Sequence, residues 1–228
     1  MCSHYQALKE RERYRRCFQV EAPPEPGKHD LWPGYLGSFI RRHPQADDGD
    51  DASSELEAMS GLFGLVPHWS ADTKICRSTY NARIETVAEK PSFREAWKRG
   101  QHCIVPADAF YEPDWRSDKA IATRIERADG EPMGIAGLWS SWKSPKGETI
   151  YSYTMLTINA QDHALMRLFH KPLDEKRMIV ILPPERYRDW LKASPDQSMN
   201  MLKPYSEIEL VAVTPPLPTL VPVVGKSS

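Results

Sequence analysis

GLFGLVPHWSADTKICRSTYNARIETVAEKPSFREAWKRGQHCIVPADAFYEPDW, residues 61–115, decides how this chain is read. An apolar, proline-punctuated background carries Asn81, Arg83, Glu85 and Glu112, with two large aromatics, Trp69 and Trp115. At one end Gly61 to Pro67 reads as a short buried strand. At the other, Cys103 to Tyr111 is apolar with small residues and reads as a second. Between them Ser92-Phe93-Arg94-Glu95 has capping-box spacing, with Ser92 as N-cap. The helix it starts runs through Trp97 and stops at Gly100. Polar groups spread over such a segment need a target elsewhere in the chain, and the expected target is its beginning, at Cys2.

Downstream, Ala122 to Arg127 and Met133 to Trp139 flank Asp129-Gly130 and read as a hairpin. A turn at Pro145-Lys146-Gly147 leads into Thr149 to Ile158, rich in β-branched and aromatic residues. Asp162 is expected to cap a short helix reaching Phe169. Met178 to Leu182 reads as a buried strand, Pro184 to Lys192 as a helix with proline near its start, and Ile208 to Val213 as a last strand. Upstream, Gln6 to Arg16 reads as a charged surface helix, broken by Pro23-Pro24-Glu25-Pro26-Gly27. Leu31 to Arg42 should pack on the core. Neither a repeat nor an alternating strand–helix series is present. The expectation is an α+β fold: one domain over 1–228, with a mainly antiparallel, barrel-like β-sheet core flanked by short helices. Residues 43–58, containing Asp47-Asp48-Gly49-Asp50-Asp51, read as a flexible acidic loop, and 214–228 as an extended proline-rich tail.

At 228 residues with 40% hydrophobic and 27% charged side chains, the chain has enough apolar material for one sizeable core. Its 20 prolines favour loops and short strands over a helical bundle. Without an apolar run near ~18 residues or a signal-peptide core, a cytoplasmic protein with no membrane partner is expected. The cysteines, Cys2, Cys17, Cys76 and Cys103, form no Cys-x-x-Cys pair, so zinc spacing is missing. The acidic loop lacks EF-hand spacing. No metal and no cofactor are expected. A net charge of −1 argues against a uniformly basic nucleic-acid binder. It leaves room for a local patch: Lys74, Arg77, Arg83, Lys90, Arg94, Lys98 and Arg99 against Glu85, Glu89 and Glu95. On charge alone that patch is equally a solvated helix face.

Methionine before a small residue is normally removed. Removal of Met1 leaves Cys2 with a free α-amine beside its thiol. The amine titrates near ~8 and the thiol near ~8.5, so both nucleophiles are partly available at neutral pH. A 1,2-aminothiol reacts with an aldehyde in a particular way. The amine forms a Schiff base and the thiol closes it to a five-membered thiazolidine. From position alone, Cys2 is more readily read as an accident of translation start.

The chain resembles the SRAP family, the SOS response-associated peptidase or abasic-site-processing proteins. The resemblance is carried by Phe63-Gly64-Leu65-Val66-Pro67-His68-Trp69, Asn81-Ala82-Arg83-Ile84-Glu85-Thr86, Lys90-Pro91-Ser92-Phe93, Cys103-Ile104-Val105-Pro106-Ala107, Phe110-Tyr111-Glu112, Ala136-Gly137-Leu138-Trp139, Thr154-Met155-Leu156-Thr157 and His170 with Arg177-Met178. These span nearly the whole chain in order. The resemblance implies that Cys2 links covalently to an abasic site in single-stranded DNA, whose ring-opened sugar presents an aldehyde. It implies that Asn81 hydrogen-bonds near the Cys2 amine, that Glu112 passes protons, and that His170 shuttles protons with a pKa near ~6.5 and stabilises the sugar hydroxyl. Each also has a plain structural reading: Asn81 as a turn cap, Glu112 as an exposed acid before Pro113, His170 as a surface residue after a helix. Arg83 is the leading phosphate contact, with Arg77 and Lys90 behind it. Trp69 and Phe63 offer flat faces for bases, or core packing. The expected partner is single-stranded DNA containing abasic sites, bound by a monomer.

The chain departs from the family pattern in three places. Ser3-His4 stands where Gly-Arg is usual after Met-Cys, and Phe63 where tryptophan is usual. The compact His-x-Arg-Met-Pro becomes His170-Lys171-Pro172-Leu173-Asp174-Glu175-Lys176-Arg177-Met178, with His163 as the fallback histidine. Two further functions compete with covalent lesion capture. One is a thiol peptidase of the N-terminal-nucleophile kind, cutting peptide bonds in general or only its own Met1-Cys2 bond. The other is a non-catalytic single-strand binding module.

Overall fold

Twelve strands hydrogen-bond into one sheet in the computed structural model, which describes residues 2–46, 55–117 and 119–213. They are β1 (His4–Ala7), β2 (Asp30–Leu31), β3 (Leu36–Arg42), β4 (Leu56–Phe63), β5 (Asn81–Arg83), β6 (His102–Asp114), β7 (Ile121–Arg127), β8 (Met133–Lys143), β9 (Thr149–Asn159), β10 (Arg177–Ile179), β11 (Ile181–Leu182) and β12 (Leu210–Val213). Helices are short: α1 (Arg11–Arg13), α2 (Cys76–Thr79), α3 (Arg94–Lys98), α4 (Tyr187–Lys192) and α5 (Pro195–Met199). Met1, the Asp47–Asp51 run and the tail 214–228 lie outside the described residues.

Following the pairings around, β8, β9, β4, β3 and β6 return to β8 and close a barrel. Pairing is antiparallel except for β4 and β5, which run parallel to β9. The α+β, barrel-like expectation is therefore what the chain adopts. Alternation along the strands sorts two cores. Phe39, Phe63, Val105, Ile135 and Tyr153 gather on one face. Phe39 of β3 and Trp139 of β8 belong to strands that are not neighbours, yet their rings lie 6.3 Å apart. This face is therefore the barrel interior. The alternate residues Ile40, Ile104, Ala136, Leu138 and Leu156 face outward under Tyr14, Phe18, Trp97 and Trp190.

The long strand β6 organises the rest. Its first half pairs with β8 and its second half with β7, while β3 and β1 follow each other along the opposite edge. The expected hairpin between the segments at 122–127 and 133–139 is thus corrected. Both strands exist and Gly130 turns the chain at φ 72°. They are laid end to end on β6 instead of on each other, because a strand of 13 residues has room for two partners on one edge.

Several local expectations change. Helix α3 starts after Phe93 without a side-chain cap, so Ser92 closes no capping box. Gly100 does end it, at φ 61°. Residues 6 and 7 belong to β1, since Tyr5 and Ala7 alternate into the core. Helical turns begin at Arg11, and Tyr14 and Phe18 are buried. The end of the expected 43–58 loop is strand β4, with Leu56 buried. The turn at Met166–Leu168 is capped not by Asp162 but by His163, whose Nδ1 accepts from the Leu165 and Met166 amides at 3.2 and 3.1 Å. The 178–182 strand divides at Val180, with β10 on β9 and β11 on β8. Beyond β4, Gly64 sits at φ 115°, where a Cβ would lie 2.3 Å from the Cys76 carbonyl oxygen, so only glycine lets the chain turn against α2.

Candidate functional site

Strand β1 lies on the second half of β6, with His4 opposite Tyr111. That register carries the residues before His4 alongside Glu112 and Pro113. Cys2 is 1% exposed and its Sγ donates to the His4 carbonyl at 3.4 Å. Burial pushes the thiol well above its ordinary range, and the nearby Glu112 charge raises it further. Glu112 points inward, as the alternation from buried Phe110 requires. It is 1% exposed, and burial raises its carboxyl to about 7.

His170 reaches Glu112 from the far side of the loop that follows Phe169. Its Nε2 lies 3.4 Å from Glu112 Oε2 and 3.1 Å from the Arg177 carbonyl oxygen. That carbonyl only accepts, so Nε2 carries the proton. Its backbone sits at φ 64°, rare for a residue with a Cβ. Three hydrogen bonds hold it there. The His170 amide donates to the Pro113 carbonyl at 3.0 Å within the bridge between Asp114 and Phe169, and Lys176 Nζ donates to the carbonyls of His170 and Lys171 at 3.3 and 2.6 Å. Backbone held in a sparsely populated region by this many contacts is typical of functional positions. Burial depresses the imidazole to about 4. The expected proton shuttle near ~6.5 is thereby corrected: at neutral pH His170 is a fixed neutral donor.

The extra residues 171–176 loop outward, leaving Leu173 fully exposed, and bring Arg177 back below His170. His163, the fallback, is committed elsewhere. Its Nε2 donates to the Tyr205 carbonyl at 2.9 Å while Nδ1 caps the following turn.

Asn81 opens β5, level with Met155 of β9. It is buried; its Nδ2 donates to the Tyr80 carbonyl at 2.9 Å, and its Oδ1 has no partner. Tyr80, not singled out from sequence, ties this amide to the rest. Its half-buried ring packs on the Cys2-containing core and meets Phe63 edge-on at 5.9 Å. Its phenol is raised by burial and then by the negative charges of Cys2 and Glu112. Its place directly before Asn81 was the available signal.

The proposed DNA contacts separate. Phe63 is 0% exposed, wedged among Tyr5, Tyr80 and Tyr153, so it is a core residue and presents no face to a base. Trp69 is 51% exposed, its indole N–H donating to the Pro91 carbonyl at 3.3 Å. Arg77 and Lys90 are exposed. Arg83 is exposed and pairs with Glu175 at 2.8 Å. Arg177, only 2% exposed, is neutralised by Glu85 and Glu175 at 2.8 and 2.6 Å. Glu85 thus serves a buried arginine, as a compensated internal charge must be.

Comparison with known proteins matches residues 1–218 to the family described as SOS response associated peptidase (SRAP). The chain is 36% identical over 154 residues to Abasic site processing protein YoqW of Bacillus subtilis (strain 168), covering 66% of this chain and 65% of that protein. It is 29% identical over 192 residues to Abasic site processing protein HMCES of Gallus gallus, covering 74% of this chain and 55% of that one. The matched region is thus under two thirds of either relative. A crystal structure of a Bordetella bronchiseptica protein is 47% identical, with a TM-score of 0.84 over 95% of this chain and all of that one. A Bacteroides thetaiotaomicron protein, 22% identical with a TM-score of 0.76, shares the fold.

Proposed function

The chain belongs to the SRAP family, and from that premise we propose that it processes abasic sites by capturing the lesion covalently on Cys2 in single-stranded DNA. The observation that carries this reading is the burial of Cys2 beside Glu112, which itself lies 3.4 Å from His170.

With Met1 removed, the Cys2 α-amine adds to C1′ of the ring-opened sugar. The carbinolamine loses water to give a Schiff base. The thiol then adds to the imine carbon, its proton passes to nitrogen, and a thiazolidine closes. One aldehyde and one aminothiol give one ring and one water. Glu112, with its carboxyl near 7, holds a proton to give the departing hydroxyl and takes one back from the thiol. The raised thiol resists loss of its proton in the resting protein, so a base beside it is needed. His170 Nε2–H, held by the Arg177 carbonyl at 3.1 Å, is shared with the sugar oxygen when the lesion enters beside Glu112. Asn81 Oδ1 accepts from the amine and orients it. Arg77, Arg83 and Lys90 hold phosphates, and Trp69 stacks on a base.

The same carboxyl beside the same thiol suits a second reaction. The Cys2 thiol adds to the Met1 carbonyl, and the amide C–N bond breaks as Glu112 passes the thiol proton to nitrogen. Water hydrolyses the resulting thioester to free methionine and the thiol. That thiol-peptidase reading concerns the chain's own maturation and prepares the amine for DNA. The test is a denaturing gel of the mass-checked, Met1-free protein with abasic single-stranded DNA. A shifted band, lost in Cys2→Ser, is expected. Salt-sensitive binding without such a band would reduce the protein to a binding module.

A further inference from the structure

Immediately after Cys2, two strands and the turn that follows β2 place aromatic rings in one row. His4 of β1 faces Tyr111 of β6. The Tyr5–Leu31 and Gln6–Asp30 register of β1 with β2 continues to bring Trp32 level with His4. Cross-strand neighbours on one face meet, and these do. The His4 imidazole is sandwiched, 3.9 Å and 11° from the Trp32 ring and 4.1 Å and 6° from Tyr111. Asp30 Oδ1 at 3.0 Å from His4 Nε2 fixes its rotation.

The stack ends in solvent. Trp32 is 42% exposed, and Tyr35, 40% exposed, stands at an angle 5.9 Å away. The Lys28 ammonium lies 4.5 Å over the Tyr35 ring. The turn carrying Trp32 is pinned to the barrel: Tyr35 donates to the Trp32 carbonyl at 3.0 Å, Gly34 to Phe63 at 2.6 Å, and Phe63 to Tyr35 at 2.9 Å. A flat ring, backed by two others on a rigid turn and edged by a cation, is preorganised for another flat ring carrying a negative charge.

We propose that Trp32 is a stacking platform for a nucleobase beside the captured lesion, backed by His4 and Tyr111, with Lys28 toward the adjoining phosphate. This rests on the reading of Cys2 as the point of attachment to DNA. An extended strand rises ~3.3 Å per residue, so the stack begins ~7 Å along the chain from Cys2, on the scale of a neighbouring nucleotide. Every base has a π face, so such a platform tolerates any sequence. His4 stands where the family usually carries arginine; here the residue supports a stack.

The test uses the full chain carrying Cys2→Ser, so that no covalent bond forms, and oligonucleotides with a tetrahydrofuran abasic analogue. Fluorescence anisotropy is read for the parent, Trp32→Ala and Trp32→Phe. With purines on both sides of the lesion, Trp32→Ala is expected to weaken binding about tenfold and Trp32→Phe to keep most of it. When the flanking nucleotides also lack bases, all three should bind alike. Equal binding by Trp32→Ala and parent on the purine oligonucleotide, or a loss indifferent to the flanking bases, overturns the proposal. Cross-linking of the unsubstituted chain is scored separately, so a missing covalent band counts against the role of Cys2 and not against the platform.

Discussion

Glu112 Oε2 and His170 Nε2 lie 3.4 Å apart with 1% and 8% of their side chains exposed. Exclusion of water moves the two groups in opposite directions, the carboxyl up to about 7 and the imidazole down to about 4. Each move favours the neutral form. Between those values the pair is a carboxylic acid beside a neutral imidazole. The acid is the group whose proton is exchangeable at cellular pH.

Cross-linking should therefore report on Glu112. Its rate rises as the α-amine loses its proton near ~8 and is checked as Glu112 loses its own near 7. Glu112→Gln should slow band formation by ~10²- to 10⁴-fold and remove the alkaline fall while keeping the acid-side rise. Quenched time courses across pH 5 to 9 measure both. An unchanged alkaline limb in the variant would assign that limb to another group.

Stability should carry the same signature. A carboxyl raised from 4.5 to about 7 binds more protons folded than unfolded between those values, so it lowers stability as pH rises through that window. A histidine lowered from 6.5 to about 4 binds fewer protons folded than unfolded, so stability grows as pH rises from 4 to 6.5. His102, buried against Trp190 and also near 4, adds to the second slope. The opposed slopes partly cancel in the unsubstituted protein. Glu112→Gln should raise stability above pH 7 by up to about 3 kcal/mol and leave a curve climbing from pH 4 to 6.5. His170→Asn should do the reverse, flattening the acid side. Urea midpoints at several pH values decide it.

Asn81 should separate stability from function. Its buried Oδ1 has no partner, and an unsatisfied buried acceptor costs about 1–3 kcal/mol. Asn81→Ala gives up the bond to the Tyr80 carbonyl and removes that cost, so the net change in stability should stay within about 1 kcal/mol. If Oδ1 receives the Cys2 amine, cross-linking should nonetheless fall by ~10-fold or more. Asn81→Asp would bury a carboxylate where the amide oxygen has no partner and should lower stability clearly. Equal cross-linking by Asn81→Ala and parent would remove Asn81 from the chemistry.

How far the sequence foretold this site depends on the kind of information each residue carries. Alternation and turn residues announced β6, β8 and β9, because a strand's faces are written at period two. They did not announce which strands pair. The length of β6 that separates β7 from β8 is a tertiary fact, as is the return of β6 past β3 to close the barrel. Ser92 had the right spacing for a cap, but α3 begins one residue later, after Phe93. Cys2, Glu112 and His170 were nameable by resemblance, yet their pKa shifts were not, since desolvation exists only once the core has formed. Tyr80 and the Trp32–His4–Tyr111 row escaped notice because aromatic residues in apolar segments read as core until exposure is known.

Phe63 and Trp69 show the same ambiguity resolved in opposite directions, which makes them a controlled pair. Phe63 is sealed inside the barrel against Tyr5, Tyr80 and Tyr153. Phe63→Ala should therefore cost about 3–5 kcal/mol, through lost transfer energy and the cavity left behind. At a temperature where the variant remains folded, its affinity for DNA should match the parent's. Trp69 lies half exposed, anchored by one bond to the Pro91 carbonyl, with Lys90 adjacent in sequence to that anchor. Trp69→Ala should change stability by less than about 1 kcal/mol. It should weaken binding of single-stranded DNA about tenfold, the worth of stacking one base. Thermal melts and anisotropy on the same preparations give both numbers. A Trp69 variant that melts early and binds normally would make Trp69 a packing residue like Phe63 and move the DNA path to another face.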